Sequence, residues 1–180
     1  MKKSFLITTG GSGGHVIPAT ILYEHLVKEA NVFISIDKRG LRYLDKDKYE
    51  FKIINTPKLN NIFLLPFNLI IILFLIIKSF FLLKNERVEK LFSTGGYMSL
   101  PLILAAKLLK LEIYLLESNQ VLGRTNKYFL NSCVKIFCHT EKIKNFPIQH
   151  KNKMVIIYPL VREKIYKLNQ ASSNNDKFNL

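Results

Sequence analysis

The residues best equipped for chemistry lie near the amino terminus, where Gly10-Gly11-Ser12-Gly13-Gly14 runs directly into His15. Bare glycines let a backbone turn sharply and approach a ligand, and the amides that open a helix favour an anion such as a phosphate or diphosphate. An imidazole beside such a loop could reach whatever the loop holds, and it titrates in the range that proton transfer needs. The spacing disfavours ordinary NAD or ATP binding, because the run lacks G-x-G-x-x-G and no Gly-Lys-Ser/Thr follows it. The plainer alternative is a tight strand-to-helix turn with a structural histidine beside it.

A second bare turn and a polar cluster follow later. Gly95-Gly96-Tyr97 again sits between a strand-like run and a helical pattern, so two glycine loops are expected to face one crevice. Glu117, Ser118 and Asn119 end another apolar run, and Gly123-Arg124-Thr125-Asn126 then opens a helix. Polar groups at such strand ends are candidates to bind sugar or nucleotide hydroxyls, with loop solvation or capping as the alternative. Cys133 and Cys138 are not spaced as C-x-x-C, and no second Cys/His pair accompanies Cys138-His139. A reduced, buried role is expected for both cysteines in place of a metal site.

These groups need a scaffold that brings strand ends together. Phe5-Leu6-Ile7, extended by Thr8 and Thr9, reads as a buried parallel strand. Behind it, Pro18 is expected in the first helical turn, with Ile21, Leu22, Leu26 and Val27 at helical spacing. Further strands are expected at 31–36, 51–54 (near a sheet edge), 88–94, 113–116, 134–138 and 154–158, with a helix after Pro101 carrying Leu102, Ile103, Ala106 and Leu109 on one face. The alternation of strands and helices predicts an α/β fold, a Rossmann-like open parallel sheet with its ligand crevice beyond the carboxyl ends of the strands.

The stretch 62–83 is apolar almost throughout, broken by Pro66, Asn68 and Lys78. A helix over 67–83 would be about 25 Å long, short of the roughly 30 Å hydrocarbon core, and spanning would put the two halves of one sheet on opposite sides of a membrane. A helix with one face on the sheet and the other on a lipid surface is expected instead, with Lys78, Lys84, Arg87 and Lys90 at anionic headgroups. A fully buried core helix is the alternative. The 180-residue length suits one domain, and the net charge of +14 implies anionic company. Nucleic acid is disfavoured, because the lysines form no dense run and aromatics are not interleaved with them. Lys2-Lys3 leads into too short an apolar run for a signal peptide, which points to the cytoplasm.

In this order, the motifs resemble the amino-terminal half of the bacterial MurG family, the N-acetylglucosaminyltransferases that convert lipid I to lipid II in peptidoglycan synthesis. The resemblance covers residues 5–162, and it implies the amino-terminal domain of a GT-B glycosyltransferase: an inverting, metal-independent hexosyltransferase without a cofactor. It implies that residues 1–165 form an acceptor-side, membrane-associating domain, that 166–176 are a linker, and that 177–180 begin a donor-binding domain. On the same basis His15 is the base for the acceptor's 4-hydroxyl. Ser12, Gly13 and Gly14 would line the diphosphate-sugar cleft, Gly95 and Gly96 would bind substrate, Asn119 and Arg162 would contact the donor, and Tyr97, Glu117 and Asn126 would shape the acceptor pocket. The implied partners are UDP-N-acetylglucosamine, undecaprenyl-pyrophosphoryl-muramyl-pentapeptide (lipid I) and the anionic cytoplasmic face of the inner membrane, bound peripherally. Leu116 stands where the family usually has His, Ser118 where it has Gln, and Pro159-Leu160-Val161-Arg162 where it has Asn-Pro-Val-Arg. Two other readings fit the residues: a membrane-anchoring subunit of a split glycosyltransferase, and a noncatalytic membrane adaptor.

Overall fold

The computed structural model describes residues 2–57, 63–158 and 160. The expected linker, the start of a second domain and Arg162 lie outside the described residues. Seven strands form one parallel sheet: β1 (Ser4–Thr8), β2 (Asn31–Ile36), β3 (Phe51–Ile53), β4 (Val88–Ser93), β5 (Glu112–Glu117), β6 (Lys135–Cys138) and β7 (Met154–Ile156). Their order is β3-β2-β1-β4-β5-β6-β7, so the chain builds outward from β1 in one direction and then returns to its other side with β4. In open α/β sheets a ligand crevice opens where the order reverses, beyond the carboxyl ends of the strands. Here that place is the β1/β4 boundary, where Thr8 pairs with Ser93. Each of these two strands runs straight into a glycine pair.

The central strands are apolar on both sides because both faces of the sheet are covered. Leu6, Leu91, Ile113, Leu115 and Ile136 point to one face, where they meet residues of helices α2 (Leu65–Asn85) and α3 (Leu100–Leu108). Phe5, Ile7, Val32, Ile34 and Phe92 point to the other, against α1 (Gly13–Leu26). A short helix α4 (Arg124–Phe129) follows β5. β3 is an edge strand, as expected, and β7 is two residues shorter at its end than the sequence suggests. Both cysteines are free and buried. Burial raises the Cys133 thiol and pushes that of Cys138 up to about 12, with the Glu117 carboxylate beside Cys138 adding to the shift.

Two expectations about α1 need correction. Val27 is the C-cap and is exposed, because α1 turns it past the edge of the core. Pro18 does not sit in the first turn, since the helix already begins at Gly13. Proline there has no N–H for the carbonyl of Gly14, four residues back, and the hydroxyl of Ser118 donates to that carbonyl instead, at 3.5 Å. The proline thus links α1 to the loop after β5.

Helix α2 is longer at both ends than the expected 67–83, about 31 Å by helical rise. Asn68, Ile72, Ser79 and Leu83 are buried on its inner side. Phe67, Ile70, Phe74, Ile77 and Phe81, at alternating spacings of three and four, form an outer stripe that is 49–67% exposed. This is not a buried core helix: a half-covered apolar helix lies on the surface of the domain. By length and composition it could also cross a membrane.

Candidate functional site

The second glycine loop, the loop after β5 and His15 of α1 converge on one pocket of about 370 Å³, lined by His15, Gly95, Gly96, Tyr97, Glu117, Asn119, Asn126 and the segment 123–125, while Ser12, Gly13 and Gly14 are not part of its lining. Seven of the residues singled out from the sequence therefore share a single cavity at the carboxyl edge of the sheet.

His15 stands in the first turn of α1, and its Nδ1 lies 2.6 Å from the carbonyl oxygen of Thr94. A carbonyl can only accept, so Nδ1 carries the proton and Nε2 is left as the acceptor. Thr94 is itself fixed, its hydroxyl donating to that of Thr9 at 2.8 Å and its N–H to the carbonyl of Thr8. A Cβ on Gly95 would stand 3.5 Å from His15 Cε1, and one on Gly96 3.8 Å from His15 Cδ2. These two carbons flank Nε2, so the glycines leave its edge of the ring uncovered. Both also hold positive φ, 88° and 82°, where a side chain is strained.

Glu117 closes the opposite wall. It is 2% exposed. Its Oε1 accepts from the backbone N–H (3.1 Å) and side-chain amide (3.0 Å) of Asn119, and its Oε2 accepts from the Gly123 N–H (2.8 Å) and Asn126 Nδ2 (3.0 Å). A carboxylate with four donors is occupied in holding its loop, so Glu117 shapes the pocket by positioning Asn119 and Asn126. Asn126 Nδ2 also donates to the Leu116 carbonyl, which fixes the amide orientation and leaves the buried Oδ1 without a partner. That oxygen is 3.5 Å from where a Gly95 Cβ would stand. It is a buried acceptor with no donor among the described residues.

The first glycine loop divides its labour. Gly10 and Gly11 have positive φ of 151° and 78°, and a Cβ would fall 2.4 Å from Asp37 Oδ1 at Gly10 and 2.7 Å from Met98 Cε at Gly11. Their bareness admits neighbouring side chains. Gly13 lies against the ring of Tyr43, while a Cβ on Gly14 would meet only Ser12 Oγ, at 3.8 Å, and Gly14 is exposed. Of the four, Gly14 is therefore the one open to a ligand. Ser12 is the exposed N-cap of α1, with no side-chain capping bond.

Tyr97 was legible from its place after a glycine pair; its partner was not. The Arg39 guanidinium lies 4.9 Å from the centre of the Tyr97 ring. Burial raises the Tyr97 phenol above its ordinary pKa, and Arg39 opposes that shift. Nothing in the sequence around Arg39 marks it, because the pairing depends on β2 lying beside β1.

An open parallel sheet with paired glycine loops at its switch point and a bound-off imidazole between them defines the amino-terminal domain of a GT-B glycosyltransferase. The model of the glycosyltransferase family 28 N-terminal domain matches residues 5–138, and the chain belongs to that family. It is 47% identical over its whole length to the UDP-N-acetylglucosamine–N-acetylmuramyl-(pentapeptide) pyrophosphoryl-undecaprenol N-acetylglucosamine transferase of Pelagibacter ubique, and 37% identical, over 98% of its length, to that of Rickettsia canadensis. The chain spans about half the length of these relatives, 51% and 50%. Among solved structures it superimposes on Acinetobacter baumannii MurG with a TM-score of 0.73 at 23% identity, covering 97% of this chain and 50% of that one. A UDP-GlcNAc 2-epimerase from Neisseria meningitidis gives 0.64 at 16% identity, over 95% and 51%. At those identities the likeness speaks for the fold.

Proposed function

We propose that this chain is the acceptor-side half of a transferase that moves N-acetylglucosamine from UDP-N-acetylglucosamine to the 4-hydroxyl of the muramyl sugar of lipid I. The observation that carries the reading is the His15–Thr94 hydrogen bond, which presents an unprotonated Nε2 to the pocket. A base must stand within hydrogen-bond reach of the proton it takes, in the right tautomer, and this one is held so by the backbone. As the 4-hydroxyl oxygen bonds to the anomeric carbon of N-acetylglucosamine, that carbon's bond to the UDP diphosphate oxygen breaks and UDP departs, while Nε2 takes the hydroxyl proton and the Thr94 carbonyl steadies the resulting imidazolium through Nδ1–H. Asn126 Oδ1 would accept from the acceptor sugar, and Asn119 would meet the donor. Amides at the start of α1 would face the acceptor's diphosphate past Gly14.

Residues 1–165 would form the acceptor domain and 177–180 the start of a donor-binding domain after a linker, with Arg162 a donor contact. The outer stripe of α2, backed by Lys78 and Lys84, would rest on the anionic cytoplasmic face of a bacterial inner membrane, bringing the pocket to a lipid-linked substrate. The test is transfer of labelled N-acetylglucosamine to a soluble lipid I analogue, by the chain alone and by the chain joined to a donor-binding domain of a relative. Turnover is expected only from the joined protein. Full turnover by residues 1–180 alone, or none from a folded joined protein, would contradict the reading.

A further inference from the structure

The methionine that follows Tyr97 fills the space between the two glycine loops. Met98 is 5% exposed. Its terminal methyl carbon, Cε, lies 2.7 Å from where a Cβ on Gly11 would stand and 3.1 Å from where one on Gly96 would, and the Gly96 Cβ would overlap its sulfur. A Cβ on Gly10 would stand 3.1 Å from its Cγ. Gly10, Gly11 and Gly96 are thus bare toward one side chain, and the loops approach each other only as closely as that side chain allows. The backbone around it is held as well. The Met98 carbonyl accepts from the Thr56 hydroxyl at 3.1 Å, while Ser99 donates its hydroxyl to the Gly95 carbonyl (3.0 Å) and its N–H to that of Gly96 (3.2 Å).

The first loop is fixed on its far side by the segment after β2. Asp37 Oδ1 accepts from the N–H of Gly11 (2.7 Å) and of Gly40 (2.9 Å), and its Oδ2 accepts from Arg39. Gly13 rests on the Tyr43 ring, over which the Arg42 guanidinium lies at 4.8 Å. On the near side the loop meets Met98. This spacing reaches the chemistry because the His15–Thr94 hydrogen bond crosses it: His15 follows the first loop, and Thr94 leads into the second. At the strand ends the gap is tied by the Thr94–Thr9 hydroxyl bond, and above them Met98 is the wedge. A hydrogen bond weakens steeply as its partners part or turn, and with this one would go the fixed proton on Nδ1.

We propose that Met98 is a positioning residue for His15, its thioether holding the two glycine loops at the separation that keeps Nδ1 bonded to Thr94 and Nε2 turned to the pocket. The proposal rests on the reading above in taking His15 as the base. The experiment therefore has one arm that needs no transfer and one that does. In the first, nitrogen NMR of the purified chain at about pH 8.5, where an imidazole is ordinarily neutral, reads which ring nitrogen of His15 carries the proton. The His15 signals are assigned by their loss in His15→Ala. The proteins are the wild type, Met98→Ala, Met98→Val, which also lacks the sulfur and terminal methyl but leaves a smaller void, and Met98→Leu, which conserves volume.

Wild type and Met98→Leu are expected to show His15 protonated on Nδ1, and Met98→Ala and Met98→Val a mixture of the two tautomers. In the second arm, the joined protein should lose about 100-fold in kcat with Met98→Ala, the scale of a misplacement of about 1 Å, with KM for the acceptor changed less than a few-fold. Met98→Leu should stay within a few-fold of the parent. A folded Met98→Ala or Met98→Val chain that keeps the wild-type tautomer would overturn the proposal. So would a rise in KM at unchanged kcat, which would make Met98 a support of the pocket wall. Tautomers that shift as expected, in a joined protein whose parent transfers nothing, support the positioning and contradict the transferase reading instead.

Discussion

Glu117 and Asn126 hold each other across the pocket wall: Asn126 Nδ2 donates to Glu117 Oε2 at 3.0 Å, and the same Glu117 oxygen takes the Gly123 N–H at 2.8 Å. Both side chains are 2% exposed. In Glu117→Gln one acceptor oxygen becomes a donor amide, which leaves at least one buried N–H unpaired. The expected cost is about 1–3 kcal/mol, read as a lower urea midpoint at unchanged slope. Asn126→Asp should cost more, because it sets a second carboxylate against the first. A midpoint unchanged in both variants would contradict the buried network.

The glycines of the first loop should respond unequally. Gly10→Ala places a Cβ 2.4 Å from Asp37 Oδ1 and is expected to lower stability by about 2 kcal/mol or more. Gly14→Ala, with its nearest neighbour 3.8 Å away and a helical position, should keep or slightly raise the melting temperature. It should nonetheless weaken transfer in a joined protein if substrate passes close to Gly14. Equal melting temperatures for the two variants would refute this division.

Much of the scaffold is legible in the sequence, and the reasons are local. Strands such as 31–36 and 113–116 are runs of apolar or β-branched residues between turn residues, and the order of glycine loops already places two of them at one end of a parallel sheet. His15, Tyr97 and Glu117 stand out because each adjoins a glycine or a strand end, and Asn126 because it follows Gly123 in the turn that opens a helix. What stays hidden depends on residues distant in the chain. Pro18 reads as a helix start until the helix is seen to begin at Gly13. Glu117 reads as a ligand contact until its four donors are counted, and Asp37, Arg39 and Arg42 read as an ordinary charged loop until β2 is placed beside β1.

The cysteines give a pH prediction with a definite sign. Burial pushes Cys138 up to about 12, above the usual thiol near 8.5, so the unfolded chain releases its proton first as pH rises. The stability held below about pH 8.5 through this thiol should decline between there and about 12, and Cys138→Ala should flatten that part of the stability profile. At pH 8.5, iodoacetamide is expected to label neither cysteine until the chain is unfolded. Rapid alkylation of the native protein would contradict the burial.

Helix α2 offers a surface test. Phe74→Glu combined with Ile70→Glu puts two charges in the middle of its outer stripe, where the parent residues are 66% and 67% exposed, so stability should change by less than about 1 kcal/mol. Sedimentation with vesicles containing phosphatidylglycerol should nonetheless fall at least several-fold. Retention of full vesicle binding by this variant would place the contact elsewhere.

The most direct test is the rate of N-acetylglucosamine transfer by a joined protein carrying His15→Ala. The account predicts a fall on the order of 100-fold or more, with acceptor affinity retained. A His15→Ala protein that transfers within a few-fold of the parent rate would contradict it.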